Sequence, residues 1–347
     1  MLYAGLDLSR KRLDVCVVDE CRRVVVEMAC APDVDGLRGL ADRLGPMSAA
    51  IESMTGARFV RDRLQELGWE VQIADAERVK GLAPLACKTD RVDARVLAQL
   101  AARDLVPAIW LPDPAVRAER ERARWRLHLV KHRSQLKNRI HATLMTFGRP
   151  CSVSDLFGIT GRRQLETLAL PQPWAGTMLA SLGLIDELDE QIAGCVRELR
   201  ELGADHPYVS RLQSAPGIAW VLGYTIASEI GDITRFASPK KLVGYTGLCP
   251  RVYQSGQHDR RGPLAKNGPR YLRWALIEAA IHAARHPHYR ARYQTAAKRI
   301  AGPRGRKIAR VQIARDLTTA IWHMLTRDQD FAPAGPALPL AAQTAPH

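Results

Sequence analysis

Four carboxylates in the first hundred residues stand where a fold could gather them. Asp7 lies inside an apolar run, Glu52 ends another, and Asp90 and Asp93 sit three residues apart on a predicted helix. A spacing of three puts Asp90 and Asp93 on one helix face. An acid within a hydrophobic strand is costly unless a cation offsets its desolvation, and a divalent cation does so better than a lysine. Four carboxylates around two Mg²⁺ ions about 4 Å apart would bind both the attacking and the leaving oxygen of an in-line phosphoryl transfer, and Mn²⁺ suits the same oxygen donors. Each acid also has an ordinary reading. Asp7, before Ser9-Arg10, ends a strand; Glu52 pairs with Arg58 or Arg61; Asp90 is a first-turn carboxylate favoured by the helix dipole. Asp14 and Asp75 are the controls, similar residues that read as solvent-facing.

Ser255 is the second chemical candidate, in Tyr253-Gln254-Ser255-Gly256-Gln257-His258 within a loop expected from Leu248 to Gly268. Arg251, Arg260, Arg261, Lys266 and Arg270 surround it in sequence, with Arg273 one turn further on. A serine beside glycine serves turn geometry in one reading. In the other it is a nucleophile, and the guanidinium groups offset the charge that builds on a scissile phosphate. The group that takes its proton stays open between His258 and a metal-held hydroxide from the first domain.

The elements that must position these residues follow from periodicity. Tyr3 to Leu8, Leu13 to Val18 and Val24 to Met28 are short β-rich runs parted by polar breaks, which predicts an antiparallel meander. A helix from about Asp35 to Leu44, a strand from Ala49 to Glu52, a helix from Ala57 to Leu67, a strand from Glu70 to Ala74 and a Thr89-capped helix through Ala102 complete an α/β unit of RNase H type. Prolines 107, 112 and 114 close it. Long amphipathic helices are predicted over Val116 to Phe147 and Trp174 to Leu202, as an antiparallel hairpin or a dimer-forming coiled coil. Short helices joined by glycine turns follow His206, then helices over about Arg270 to Arg285, Tyr289 to Ile300 and Lys307 to Thr326. The expected division is 1–107, 108–205, 206–327 and a disordered Ala/Pro-rich tail, 328–347.

Net charge points to the partner. Of 347 residues, 51 are Lys or Arg and 36 Asp or Glu, a net charge of +15. Ten basic residues face two acidic ones between Arg117 and Arg149, and fifteen face two between Arg251 and Arg310, so the rest of the chain is mildly acidic. Such zones seek a polyanion, by default nucleic acid. Arg124, Arg126 and Arg133 in the first zone are candidate RNA contacts, and the second zone is expected to hold DNA and RNA. Trp125, Tyr271, Trp274 and Tyr289 interleave the arginines for base stacking, although Tyr271, Trp274 and Ile281 also have core spacing. The turn Ala215-Pro216-Gly217-Ile218 reads either as a helix-hairpin-helix gripping a phosphate near Gly217 or as a plain packing corner, and Ala219 stands where a second glycine is common. Seven cysteines without a CxxC pair predict reduced thiols and argue against zinc. No run of about 18 apolar residues spans a bilayer and no signal peptide precedes the first strand, so a cytoplasmic protein is expected.

Taken together, Gly5-Leu6-Asp7-Leu8-Ser9, Ile51-Glu52-Ser53-Met54-Thr55-Gly56, Lys88-Thr89-Asp90-Arg91-Val92-Asp93-Ala94 and Pro216-Gly217-Ile218 with Glu229-Ile230-Gly231-Asp232 closely resemble the DEDD transposases of the insertion-sequence 110 family. So do Phe236 to Leu242, Gly244 to Leu248, and Ser255-Gly256 through Gly268-Pro269-Arg270-Tyr271-Leu272-Arg273-Trp274. The resemblance implies a RuvC-like domain whose metal-binding carboxylates are Asp7, Glu52, Asp90 and Asp93. It implies that Ser255 is the serine of a C-terminal transposase domain that attacks DNA in a composite site built from different subunits. It further implies a noncoding bridge RNA that pairs with donor and target DNA, homo-oligomerisation as a dimer or tetramer through the intervening helices, and a bacterial setting near the nucleoid. A structure-selective nuclease in which water attacks, and a scaffold whose carboxylates are only structural, are the competing readings.

Overall fold

The computed structural model describes residues 1–82, 89–150, 153–255, 258–300 and 302–333; the side chains of Ser255 and residues 258–261 are not described. The expected disordered tail falls largely at 334–347, outside the described residues. The chain forms two compact units, Met1–Leu111 and Pro112–His347.

In the first unit, β1 (Tyr3–Leu8), β2 (Leu13–Val18) and β3 (Val24–Cys30) form the meander. Then come α1 (Val34–Leu44), β4 (Ser48–Glu52), α2 (Ala57–Glu66), β5 (Glu70–Ala74), α3 (Ala76–Leu82) and α4 (Asp90–Ala101). The sheet order is β3-β2-β1-β4-β5, with β1 to β3 antiparallel and β4 and β5 parallel to β1. This is an RNase H-type sheet. Strand β2 is buried on both faces because Leu13, Val15 and Val17 face one layer while Cys16 and Val18 face another. Leu37 and Leu40 of α1 and Val60 and Leu64 of α2 cover the first face; Ala94 and Ala98 of α4 cover the second. Helix α3 is an element that periodicity did not predict. It is seven residues long, and Asp75 caps it by accepting the Glu77 and Arg78 amides at 3.0 and 3.2 Å.

Gly5 sets how closely α4 lies on the sheet. A Cβ there would stand 1.8 Å from the Ala94 carbonyl oxygen and 2.3 Å from the Ala98 nitrogen, both backbone atoms that no rotamer change can move aside. Gly5→Ala is therefore expected to cost about 1–3 kcal/mol through overpacking. Denaturant unfolding of Gly5→Ala beside the wild type measures that cost.

The second unit is mostly helical. Its long helices are α5 (Pro114–Thr146) and α7 (Trp174–Ala204), with α6 (Ile159–Thr167) between them. Arg122 pairs with Glu198 and Arg133 with Asp189, so α5 and α7 run antiparallel within one chain. Ile140 and Leu144 of α5 meet Met178, Leu182 and Ile185 of α7 in their shared core. Beyond them lie α8 (Val209–Ser214), α9 (Trp220–Ile230), a short 3-10 turn (Ile233–Arg235) and α10 (Pro239–Tyr245). A ribbon of β6 (Pro250–Ser255) and β7 (His258–Leu264) precedes α11 (Arg270–Ala283), α12 (Pro287–Lys298) and α13 (Pro303–Arg327).

Two expectations change here. The segment expected as an arginine-rich loop from Leu248 to Gly268 contains an antiparallel ribbon, with Tyr253 opposite Arg260 and Ser255 opposite His258. A two-stranded ribbon has only edges, so Pro250 and Pro263 are tolerated in it, and they masked the strand signal. Helix α13 begins at Pro303 rather than Lys307, with proline in the first turn where its missing N–H costs nothing.

Candidate active site

Asp7 lies on β1 directly opposite Asp14 of β2, and one residue beyond the Leu6–Ile51 pair that joins β1 to β4. Glu52 is the last residue of β4, which brings it beside Asp7 across parallel strands. Asp90 and Asp93 occupy the first turn of α4, where the Thr89 hydroxyl caps the helix by accepting the Val92 amide. Burial drives the Asp7 carboxyl up to about 6, and the negative charges of Asp90, Asp93, Glu52 and Asp14 push it the same way. Strand and helix thus bring all four predicted acids into one electrostatic neighbourhood. They do not close into a ligand shell: among the described residues, no three His, Cys, Asp or Glu side chains form a metal-holding group. The donor set is nonetheless all carboxylate, which suits a hard divalent cation. The mutual repulsion felt at Asp7 is what such a cation would reverse.

Asp14 departs from its expected place. It is 4% exposed rather than solvent-facing. Arg12 holds it through Nε at 2.9 and 3.1 Å and Nη2 at 2.8 Å. The i, i+2 spacing at a strand end, which puts both side chains on one sheet face, was the available signal. Arg61, one proposed partner of Glu52, pairs with Asp62 instead.

In the second unit Ser255 closes β6, its backbone paired with His258. Gly256 and Gln257 lie outside the described residues, as do the side chains of Ser255, His258, Arg260 and Arg261. Arg251, Lys266 and Arg270 are exposed around the ribbon.

Two family models match the chain, and the first runs past the first unit to the end of α5. Residues 4–148 match the transposase family described as DEDD_Tnp_IS110, and residues 209–296 match the Transposase IS116/IS110/IS902 family. The transposase for insertion sequence element IS1328 of Yersinia enterocolitica is 30% identical over 245 residues, covering 68% of this chain and 70% of that protein. The chain belongs to the IS110/IS116 family of DEDD transposases. A probable family 20 transposase of Pseudomonas aeruginosa is 24% identical over 95% of this chain and 98% of its own length. The transposase for IS1111A of Coxiella burnetii is 25% identical over 94% and 90%. Among solved structures, Thermus thermophilus RuvC with a Holliday junction substrate is 15% identical, covering 31% of this chain and 99% of that one, at a TM-score of 0.26 that adds nothing to the strand order.

Several basic residues of this IS110-family transposase are occupied within the chain. Arg124 is bound to Glu229, and Arg133 pairs with Asp189. Burial lowers the Arg126 guanidinium from its ordinary range, and its buried Nε has no partner among the described residues. Arg273 donates to the Thr246 and Gly268 carbonyls at 3.2 Å each. Gly217, at φ +83°, lies against α11, where a Cβ would meet the Ala279 carbonyl oxygen at 2.3 Å. Arg124 and Arg133 are therefore engaged in ion pairs within the chain, whereas Arg126 is half-buried with its Nε unpartnered among the described residues. Tyr289, offered for stacking, is buried in the core of the unit. Among the described residues, no helix is long and apolar enough to cross a membrane.

Proposed function

We propose that this transposase moves an insertion sequence by cutting and rejoining DNA strands at a site where Asp7, Glu52, Asp90 and Asp93 hold divalent magnesium, or manganese. The observation that carries the reading is the placement of Asp7 on β1 beside the end of β4 that bears Glu52, with Asp90 and Asp93 in the first turn of α4, close enough that burial and their charges push the Asp7 carboxyl up. Structural acids on a stable sheet are ordinarily matched by cations, and each charge that moves this one is negative. Bound there, the metal supplies Lewis-acid stabilisation of the reacting phosphate oxygens. The chain's own part is to hold the carboxylates on three rigid elements, β1, β4 and α4, so that little reorganisation accompanies reaction.

Ser255 is the attacking hydroxyl in this proposal. Its oxygen bonds to phosphorus, a strand oxygen leaves with the serine proton, and a second strand's hydroxyl later displaces the serine. The exposed Arg251, Lys266 and Arg270 support this reading, since cations there stabilise charge on the phosphate. Donor and target DNA and a noncoding bridge RNA are the proposed partners, with the basic residues of the second unit taking backbone phosphates. A homo-oligomer is proposed through the long helices, because Leu179, Leu184 and Leu202 of α7, and Trp125 and Met145 of α5, lie exposed.

The test is to trap a covalent protein–DNA complex. Wild type is expected to form one, Ser255→Ala none, and Asp90→Ala far less. If Ser255→Ala cuts normally without an adduct, water is the nucleophile and the serine reading fails.

A further inference from the structure

A DNA strand approaching four carboxylates meets repulsion wherever metal does not screen it. Its flanking phosphates therefore need a cation fixed near the acids but not neutralising them. The tip between β1 and β2 is built to present one. The Ser9 amide and hydroxyl both donate to the Arg12 carbonyl, at 2.8 and 2.9 Å, which fixes the backbone of Arg12 just past Asp7. Buried Asp14, the cross-strand partner of Asp7, then grips Nε and Nη2 of Arg12 from one side. The Arg12 side chain remains 53% exposed, and its Nη1 has no partner among the described residues. Beside it a cavity of about 250 Å³ is lined by Arg12, Asp14, Cys16, Glu27 and, from the first turn of α4, Arg91. The charged lining residues balance, two cations against two acids, but Arg95 pairs with Glu27 at 2.7 Å from outside the lining and Arg12 pairs with Asp14, which leaves Arg91 without an acid matched to it among these pairs.

We infer that Arg12 and Arg91 form a phosphodiester subsite for the DNA strand beside the carboxylates, and that Asp14 is the positioning residue that aims Arg12. The inference rests on the carboxylate reading above. An arginine held by two of its nitrogens keeps a planar donor edge for a phosphate oxygen, which a lysine cannot reproduce. Burying Asp14 is tolerable because the guanidinium satisfies it.

A methylphosphonate scan of the strand around the cut tests this, with the full-length protein, its element's noncoding RNA and the element-end DNA as substrate. In wild type, neutralising one flanking phosphate should slow cleavage about 10-fold or more, the effect of one charge-assisted hydrogen bond. Arg12→Gln keeps a donor for Asp14, so the fold is retained. It should be slowed by a similar factor and show no further penalty at that phosphate. Asp14→Asn, with Arg12 intact but no longer aimed, should blunt the same position, which a merely structural role would not do. Identical penalty profiles in wild type and Arg12→Gln would overturn the subsite. Asp7→Asn run alongside separates the two readings. If it cuts normally, the carboxylate reading falls; if it is inactive while the scans coincide, only the subsite falls.

Discussion

Asp7→Asn is expected to abolish strand cleavage while making the metal-free protein more stable. The loss follows from the proposed ligand role. Lewis-acid stabilisation by metal is worth several kcal/mol and each 1.36 kcal/mol is tenfold, so cleavage should fall by roughly a thousandfold or more. The gain in stability follows from the upward shift to about 6. A carboxyl that binds its proton more tightly in the folded state than in the unfolded chain, where the value is about 3.9, contributes stability at low pH. That contribution is lost as pH rises through the interval between the two values. Above pH 6 the ionised Asp7 opposes folding, by about 1–2 kcal/mol after allowance for its half-exposed position. Asparagine carries no charge and escapes the penalty. Mg²⁺ should therefore raise the melting temperature of wild type at pH 8, do so less at pH 5 where protons compete, and leave Asp7→Asn nearly unmoved. Equal Mg²⁺ stabilisation of both proteins at pH 8 would remove Asp7 from the metal site.

Arg124→Ala carries the largest expected loss of stability in the second unit. Arg124 Nε and Nη2 donate to the two carboxylate oxygens of Glu229 at 2.7 and 3.0 Å, and Glu229 is fully buried. The Arg124 guanidinium also lies over the Tyr271 ring at 4.9 Å, so one side chain ties α5 to α9 and α11. Removing it strands a carboxylate in the core, which costs about 3–5 kcal/mol. Adding Glu229→Gln in the same chain should recover part of that, because an amide is far cheaper to bury than an unpaired charge. Urea unfolding of the single and double variants measures the difference. If Arg124→Ala unfolds like wild type but loses RNA affinity, the arginine serves nucleic acid and not the core.

What the sequence by itself determined is local. Short β-rich runs parted by polar breaks marked β1 and β2. Thr89 ahead of an acidic first turn located the start of α4, and three- and four-residue apolar spacing outlined α5 and α7. An acid inside an apolar strand carries its own alarm, so Asp7 stands out from its immediate neighbours alone; the folded sheet brings β4 with Glu52 beside it, and the packing of α4 on that sheet brings Asp90 and Asp93. Only the tertiary structure decided which charges are free. A solvated arginine and one bound to a buried acid look alike in sequence, because the deciding partner of Arg124 lies 105 residues away. The same holds for Arg133 with Asp189 and, at a strand end, for Asp14, whose burial depends on β2 lying under α4 and on Arg12 closing over it. Periodicity and caps act within a turn or two of chain, whereas desolvation and ion pairing are properties of the packed interior, where neighbours in space are seldom neighbours in sequence.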